Sequence, residues 1–211
     1  MPTVEQARAW YPENDPVHGF DHVLRVLAIA ETLAADLGAD REIVRAAALL
    51  HDAAGAVPGP GSGRTHHEQT SAEFAGVELE REGWPEARIR AVQHCIRAHR
   101  YRGREAPETL EARILFDADK LDVVGAFGVA RTIAYAMQAG EPTFAEPSVS
   151  FREKGVAEPG EPHSAYHEYL FKLRHVSDRL HTPGARKIAR RRRRVLDAFF
   201  ELLAAEARGR A

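Results

Sequence analysis

The sequence has 211 residues, of which 44% are hydrophobic, and its formal net charge is −2. That length and apolar content suffice for one sizeable core, so we expect a single domain over residues 1–211. The near-neutral charge gives no argument for a nucleic-acid or membrane partner. The single cysteine, Cys95, excludes an internal disulfide and a zinc site built from several cysteines.

The sequence also lacks the usual signs of membrane insertion or export. No stretch is apolar over the roughly 20 residues that a membrane-spanning helix needs. Residues 1–10 are polar and lack the apolar core of a signal peptide. We therefore expect a cytoplasmic protein without a membrane partner.

Apolar residues recur at spacings of three and four through most of the chain, which is typical of amphipathic helices. Gly38 is placed to end the first of these helices, and Asp40 is placed to cap the second. Few alternating, strand-like runs are present, so the predicted fold is an all-α bundle. Helices are expected at about residues 23–37, 40–50, 66–82, 86–99, 107–138, 165–180 and 185–207.

Two stretches rich in Gly and Pro interrupt the helical pattern. Residues 55–63 are predicted to form a loop bordering the same pocket as His51 and Asp52. Residues 140–163 are predicted to form a long loop with little regular structure, of the kind that often serves as a lid. We expect the core to span about residues 16–138, with the C-terminal helices of residues 165–207 packing on it.

The helix predicted over residues 107–138 should be the central one. Its middle, residues 114–133, is apolar on several faces, as expected of a buried helix. Gly125 and Gly128 lie inside it, where glycine costs roughly 1 kcal/mol relative to alanine. Close contact with another helix is the expected reason for both glycines.

His51 and Asp52 stand side by side at the end of an apolar helical run. Neighbours on a helix point about 100° apart, so the pair can hold one object only where the helix ends or where the object sits across its end. A divalent metal ion fits that description, since imidazole nitrogen and carboxylate oxygen are both common ligands. The alternative is a polar helix end in solvent.

Other histidines and aspartates share the apolar faces of their helices. His22, His67 and His99 are each in phase with the apolar stripe of their helix. Asp119 and Asp122 fall on one line of the most buried helix, where a carboxylate is costly unless a cation or hydrogen bonds compensate. Each residue alone fits a satisfied core position, but the set as a whole favours a metal site.

Five motifs that carry these residues stand in order along the chain. They are His18-Gly-Phe-Asp-His22-Val-Leu-Arg-Val26, Ala47-Ala-Leu-Leu-His-Asp52, His66-His67 with Ser71-Ala72, Ile96-Arg-Ala-His99, and Asp117-Ala-Asp-Lys-Leu-Asp122 with Gly125-Ala-Phe-Gly-Val-Ala-Arg131. The tail adds Lys172-Leu173 and Thr182, followed by Ala185, Ala189 and Arg192. Over about residues 16–206 the chain resembles the HD-superfamily metal-dependent phosphohydrolases, specifically their bacterial YedJ/YpgQ-like branch.

This resemblance implies an HD-domain bundle with a metal in its core, and hydrolysis of a phosphoester or phosphoanhydride, with a nucleotide as the expected substrate. The implied metal ligands are His22, His51, Asp52 and Asp119. Water bound to such an ion has a lowered pKa, and a phosphoryl oxygen can bind beside it. Nitrogen and oxygen ligands without sulfur suit Mn, Mg, Fe, Co, Ni or Zn.

Further residues receive roles from the same resemblance. Asp52, His67 and His99 are the predicted catalytic residues, the two histidines acting as ligands of a second ion or as donors to substrate phosphate. Cations that neutralise phosphate oxygens, together with one carboxylate, are expected to bind the substrate. These residues are Lys120, Asp122, Arg131, Lys172 and Arg192. For each cation the alternative is ordinary solvated surface charge.

Two other functions fit parts of the pattern. The pattern also supplies six ligands for a binuclear site, namely His22, His51, Asp52, His67, His99 and Asp119. Some HD-fold proteins with such sites are di-iron oxygenases. A non-catalytic nucleotide or nucleic-acid binding module is the second alternative, because residues 190–194 are five consecutive arginines. The plainer interpretation of that run is a solvated basic face, and Cys95 is expected to be a packing residue rather than a nucleophile.

Overall fold

The computed structural model describes residues 1–11, 19–54, 67–101 and 103–210, and every regular element in these ranges is a helix. The absence of strands from the described residues confirms the all-α prediction. None of the described helices combines the length and hydrophobicity that a bilayer span requires. The predicted loop of residues 55–63 lies outside the described ranges, as do His18 and His66 of the motifs.

The regular elements of the described residues are ten α-helices and one 3₁₀ helix. They are α1 (Val4–Arg8), α2 (Phe20–Leu37), α3 (Arg41–Leu50), α4 (His67–Arg81), α5 (Glu86–Ala98), α6 (Leu110–Leu121), α7 (Ala126–Gln138), α8 (Val149–Lys154), α9 (Ala165–Phe171), a 3₁₀ helix (Leu173–Arg179) and α10 (Pro183–Ala207).

The chain divides into two compact units. The first comprises Met1–Leu121 with Leu180–Ala185, and the second comprises Asp122–Arg179 with Arg186–Ala211. Each unit has its own buried apolar residues. The expectation of a single domain over the whole chain stays a prediction.

In the first unit, helices α2, α3, α5 and α6 pack against one another, and α4 packs on α5. Local signals set the helix boundaries as predicted. Gly38 ends α2 in the left-handed conformation with φ 69°, and its amide donates to the Ala34 carbonyl. The Asp40 carboxylate caps α3 by accepting from the amides of Glu42 and Ile43 at 3.1 and 3.2 Å. These two caps mark the end of α2 and the start of α3.

The second unit is built around stacked aromatic rings. Tyr169 of α9 stacks on Phe200 of α10, with the ring centroids 4.7 Å apart. Residues 140–163, predicted to be a loop with little regular structure, contain the short helix α8, whose amide at Phe151 donates to the Ser148 hydroxyl. The Glu161 carboxylate accepts a hydrogen bond from the Ser148 amide at 2.7 Å, which joins two parts of this segment.

Two predicted helices are divided in the structure. The helix expected over residues 107–138 is wrong as one element, because α6 ends at Leu121 and α7 begins at Ala126. The break is at Gly125, with φ 88° and ψ −154°, a conformation that is essentially restricted to glycine. The helix expected over residues 165–180 is divided into α9 and the 3₁₀ helix. The predicted line of Asp119 and Asp122 on one helix face is therefore wrong, because Asp122 lies beyond the end of α6.

Gly125→Ala should lower the free energy of unfolding by about 2–3 kcal/mol, because a Cβ would be strained there and would stand 2.9 Å from Cβ of Arg192. Gly38→Ala is the matched control. Its φ is also positive, at 69°, but no atom lies within 4 Å of the added Cβ, so about 1 kcal/mol is expected. Urea unfolding of both variants measures the difference, and equal losses would contradict the steric account.

Candidate metal centre

Six polar side chains of the first unit lie close together, and all six come from helix ends. One is in the first turn of α2, two follow the end of α3, one begins α4, one follows α5 and one is in the last turn of α6. They are His22, His51, Asp52, His67, His99 and Asp119. Five of them are buried, and the side chain of His67 is 11% exposed. The structure thus brings together every residue predicted to hold a metal or to act in catalysis.

The first group of donors surrounds His22. Its Nε2 atom stands 3.3 Å from Nε2 of His51 and 3.4 Å from Oδ1 of Asp119. Nε2 of His51 is 3.6 Å from Oδ2 of Asp52. Two ligands bound to one ion at about 2.1 Å are separated by about 3.0–3.4 Å at octahedral or tetrahedral angles. The observed separations are close to those values, so His22, His51 and Asp52 fit one divalent ion, and Asp119 lies next to His22.

The second group uses the other oxygen of Asp52. Oδ1 of Asp52 lies 3.5 Å from Nε2 of His67 and 3.7 Å from Nε2 of His99. Both distances exceed those of N–H···O hydrogen bonds, which are 2.7–3.2 Å, but fit ligands that share an ion. One carboxylate therefore faces both groups, with one oxygen toward each.

Hydrogen bonds at the outer nitrogens orient two of the imidazoles. Nδ1 of His51 lies 2.8 Å from the Ala48 carbonyl oxygen, and Nδ1 of His99 contacts the Ile96 carbonyl oxygen. A carbonyl oxygen can only accept, so each Nδ1 carries the proton and donates it. In the neutral ring the Nε2 lone pair then points into the centre, as a metal ligand requires.

Burial lowers the pKa of His51 to about 4, against the opposite effect of the Asp52 carboxylate. The ring is therefore neutral at pH 7, which is the form that binds metal. Asp119 has a pKa well below its usual value: burial opposes ionisation, but the Lys120 ammonium and His22 favour it more strongly. His51 and Asp119 are thus in the charge states that a divalent cation needs.

Lys120 is the predicted substrate-binding residue that belongs to the first unit. Its ammonium is ion-paired with the adjacent Asp119 carboxylate and lies 5.6 Å from the ring centroid of Phe116. A compact cation therefore sits directly beside one of the proposed ligands.

Glu68 was not identified by the sequence reasoning. Its buried carboxylate lies 3.5 Å from Nδ1 of His67 and is bound through both oxygens by Arg100, at 3.0 and 3.1 Å. The 3.5 Å separation is longer than a hydrogen bond, so Glu68 and Arg100 form a charged pair beside the imidazole of His67. The sequence offered one indication: Glu68 directly follows His67, and Arg100 directly follows His99. This indication is weak, because acidic residues are common in the first turn of a helix for other reasons.

The other predicted substrate-binding residues belong to the second unit. Asp122 and Arg131 form a buried ion pair at 2.8 Å. Lys172 pairs with Glu168 at 2.7 Å on α9. Arg192 is half-buried on α10, with its Cβ 2.9 Å from the position of a Cβ added at Gly125.

Two further sequence features have plain structural explanations. Cys95 is completely buried, and burial raises its pKa to about 12, which fits a packing residue. In the arginine run, residues 190, 191 and 194 are exposed, whereas Arg193 pairs with Asp197 at 3.1 Å. Most of the run is a solvated basic face.

The neutral state of His51 predicts a pH dependence of stability. Its folded pKa is about 4, below the ordinary value of 6.5. The contribution of the neutral ring is therefore fully present above about pH 6.5 and is lost as the pH falls toward 4. We expect urea unfolding of the metal-free protein to show a loss of up to about 3 kcal/mol from this group over that range.

His51→Gln should flatten this pH dependence, because the amide does not titrate. His175→Gln is the matched control, since His175 has a half-exposed side chain in the second unit and its loss should leave the slope unchanged. If the free energy of unfolding of His51→Gln depends on pH as that of the wild-type protein does, groups other than His51 cause the dependence.

The comparisons with known proteins agree with this geometry. The model of the HD domain family matches residues 19–124, which include all six side chains. The uncharacterized protein YpgQ of Bacillus subtilis is 28% identical over 209 residues, covering 94% of this chain and 91% of that protein. The crystal structure of YpgQ in complex with ADP matches with a TM-score of 0.74 at 24% identity, covering 99% and 100% of the two chains.

A further solved structure extends the comparison. A crystal structure of an HD-superfamily hydrolase from Bacillus thuringiensis matches with a TM-score of 0.67 at 25% identity, over 97% of this chain and 96% of that one. The likeness therefore covers almost the whole chain, while the family model matches half of it. The chain belongs to the HD domain family.

Proposed function

We propose that this protein is a metal-dependent phosphohydrolase that cleaves a phosphoester or phosphoanhydride bond of a nucleotide. The observation that carries the proposal is the buried group of four imidazoles and two carboxylates, whose facing atoms have the separations of ligands to shared ions. Burying ionisable groups together is costly, and a shared cation would offset part of that cost. The proposed first-ion ligands are His22, His51, Asp52 and Asp119.

A divalent ion held there, whether Mn, Mg, Fe, Co, Ni or Zn, would lower the pKa of bound water and polarise a phosphoryl oxygen. The residues around the ion would orient and bind the substrate. Asp52 faces both groups of donors and would keep His67 and His99 oriented toward the reacting phosphate. Lys120 would bind a phosphate oxygen as a compact cation. His67 and Asp119, whose side chains are each 11% exposed, would mark the side from which substrate enters.

Two relatives support the choice of substrate class. YpgQ binds ADP in its crystal structure, and the Bacillus thuringiensis relative is an HD-superfamily hydrolase. A nucleotide carries the phosphate chain that this metal centre would act on. The roles of Asp122, Arg131, Lys172 and Arg192 in binding that chain stay predictions.

Asp52→Asn should reduce Mn²⁺-stimulated release of phosphate or pyrophosphate from nucleoside triphosphates by about 10³-fold or more. The change removes the negative charge that faces both groups of imidazoles while keeping nearly the same shape. A panel of nucleoside mono-, di- and triphosphates, assayed at several metals, identifies the bond that is cut.

Asp36→Asn is the matched control for this experiment, since it neutralises an exposed carboxylate on α2 and should leave turnover unchanged. The proposal fails if the wild-type protein binds no divalent metal and releases phosphate no faster than Asp52→Asn.

The shared carboxylate of Asp52 favours two ions over one, and this keeps the binuclear-iron oxygenase as a second candidate. Elemental analysis should find two ions per chain in the wild-type protein and one in a His67→Ala, His99→Ala double variant. Oxygen uptake by the iron-loaded protein separates the two functions. Oxygen consumption without phosphate release would support the oxygenase instead of the hydrolase. A single ion per chain in the wild-type protein would count against a binuclear site for either function.

A further inference from the structure

An apolar stripe runs along the solvent side of α10. Val195, Phe199 and Leu202 follow one another at spacings of four and three residues, so they lie on one side of the helix. Their exposed fractions are 51%, 37% and 53%, and Ala198 beside them is exposed as well. Scattered exposed apolar residues are ordinary, whereas a contiguous exposed stripe is characteristic of an interaction surface.

This stripe is separate from the face that holds α10 in the second unit. Leu196, Phe200 and Ala204 lie on another side of the helix and are buried. The Phe200 ring stacks on that of Tyr169, with the centroids 4.7 Å apart. A surface helix needs a single apolar face to pack on its own protein. The stripe is therefore a second apolar face, which the described residues leave exposed.

Charges of opposite sign stand at the two ends of the stripe. Arg191 and Arg194 lie at its amino-terminal end, and Glu201 and Glu206 lie toward its carboxyl-terminal end. All four residues are exposed, and within the ranges that the structure describes none of them forms an ion pair. One half of this helix face is basic and the other acidic, so the face is complementary to a reversed copy of itself.

The apolar residues are also arranged symmetrically about the middle of the stripe. A two-fold axis beside Ala198 and Phe199 would place Val195 of one copy opposite Leu202 of a second, antiparallel copy. Because a two-fold axis repeats every contact, the same pair would form again on the other side of the axis. The small side chain of Ala198 near the axis would let the two helices approach closely.

The charges fit the same antiparallel register. It would bring Arg191 of one copy opposite Glu206 of the other, and Arg194 to the flank that carries Glu201. Each attraction would occur twice, whereas a parallel arrangement would set each charge against the same charge of the other copy. We propose that two copies of this chain form a homodimer through the antiparallel pairing of their α10 stripes.

A membrane surface is the other partner that an apolar stripe with arginines suggests. The arginines suit anionic lipid headgroups, because opposite charges attract at the bilayer surface. Glu201 and Glu206 would be repelled by the same headgroups. The mixed charges of the stripe therefore favour a second copy of the chain over a bilayer.

Sedimentation of the full-length protein across the micromolar range should show a reversible equilibrium between monomer and dimer. Val195→Glu should weaken association at least about tenfold, because it buries a carboxylate opposite Leu202. Val77→Glu is the matched control, since it makes the same substitution at a similarly exposed valine of α4, 48% against 51%. It should dimerise as the wild-type protein does, and circular dichroism checks that both variants fold.

Charge reversal tests the predicted register. Arg191→Glu and Glu206→Arg should each weaken association about tenfold, because each would place like charges opposite one another on both sides of the axis. The double variant carries the same pair with its signs exchanged. It should dimerise within about threefold of wild type, which a loss of folding in either single variant would not allow.

Cysteine crosslinking tests the position of the axis. Ala198→Cys should form a disulfide-linked dimer on oxidation, because the two copies of this position meet near the axis. Val195→Cys should not, since its two copies would stand about 10 Å apart along the helices. The native Cys95 is buried and does not compete.

Four results would overturn the proposal. The first is a monomer at every concentration, and the second is equal dimerisation of Val195→Glu and Val77→Glu. The third is crosslinking of Val195→Cys without crosslinking of Ala198→Cys, which would show a parallel contact. The fourth is a monomer that binds phosphatidylserine vesicles and loses this binding in Val195→Glu, which would assign the stripe to a membrane surface.

Discussion

Ionisable side chains inside the first unit are the constraint on which the rest of this structure depends. Two carboxylates and four imidazoles lie together with almost no solvent contact, and each would be costly there without a counter-charge. Lys120 is ion-paired with one of the two carboxylates, that of Asp119. The proposed divalent ion would add positive charge among these groups. The packing of α2, α3, α5 and α6 brings the donors together.

Helix ends do most of the positioning. A donor in the first or last turn of a helix can point along the axis into the interior, which a mid-helix residue on a stripe cannot do as directly. His51 and Asp52 are adjacent yet contribute to the same centre, because α3 ends at Leu50 and the chain turns there. The 100° offset of helical neighbours predicts such a helix end for two adjacent residues that hold one ion.

Local signals predicted much of the fold, and tertiary constraints explain most of what was missed. Gly38 and Asp40 act within one turn of the chain, so the ends of α2 and α3 were readable. The break between α6 and α7 depends on the conformation of Gly125, which a helical apolar pattern does not reveal. Helical periodicity predicted the inward positions of His22 and His99 correctly, because their helices are continuous. It did not predict the position of Asp122, because α6 ends at Leu121. Glu68 escaped notice because only the folded chain brings Arg100 to it.

The hydrogen bonds of His51 and His99 have a consequence for the choice of ion. Each ring donates to a carbonyl three residues back, at the carboxyl end of its own helix, where the backbone carries a partial negative charge. That contact pushes electron density through the imidazole toward Nε2, making it a stronger Lewis base. In the proposed metal centre, such nitrogens would favour borderline acids of the later first transition series over hard, oxygen-seeking ions such as Mg²⁺. The basicity of these two Nε2 atoms therefore depends partly on backbone carbonyls at the carboxyl ends of α3 and α5.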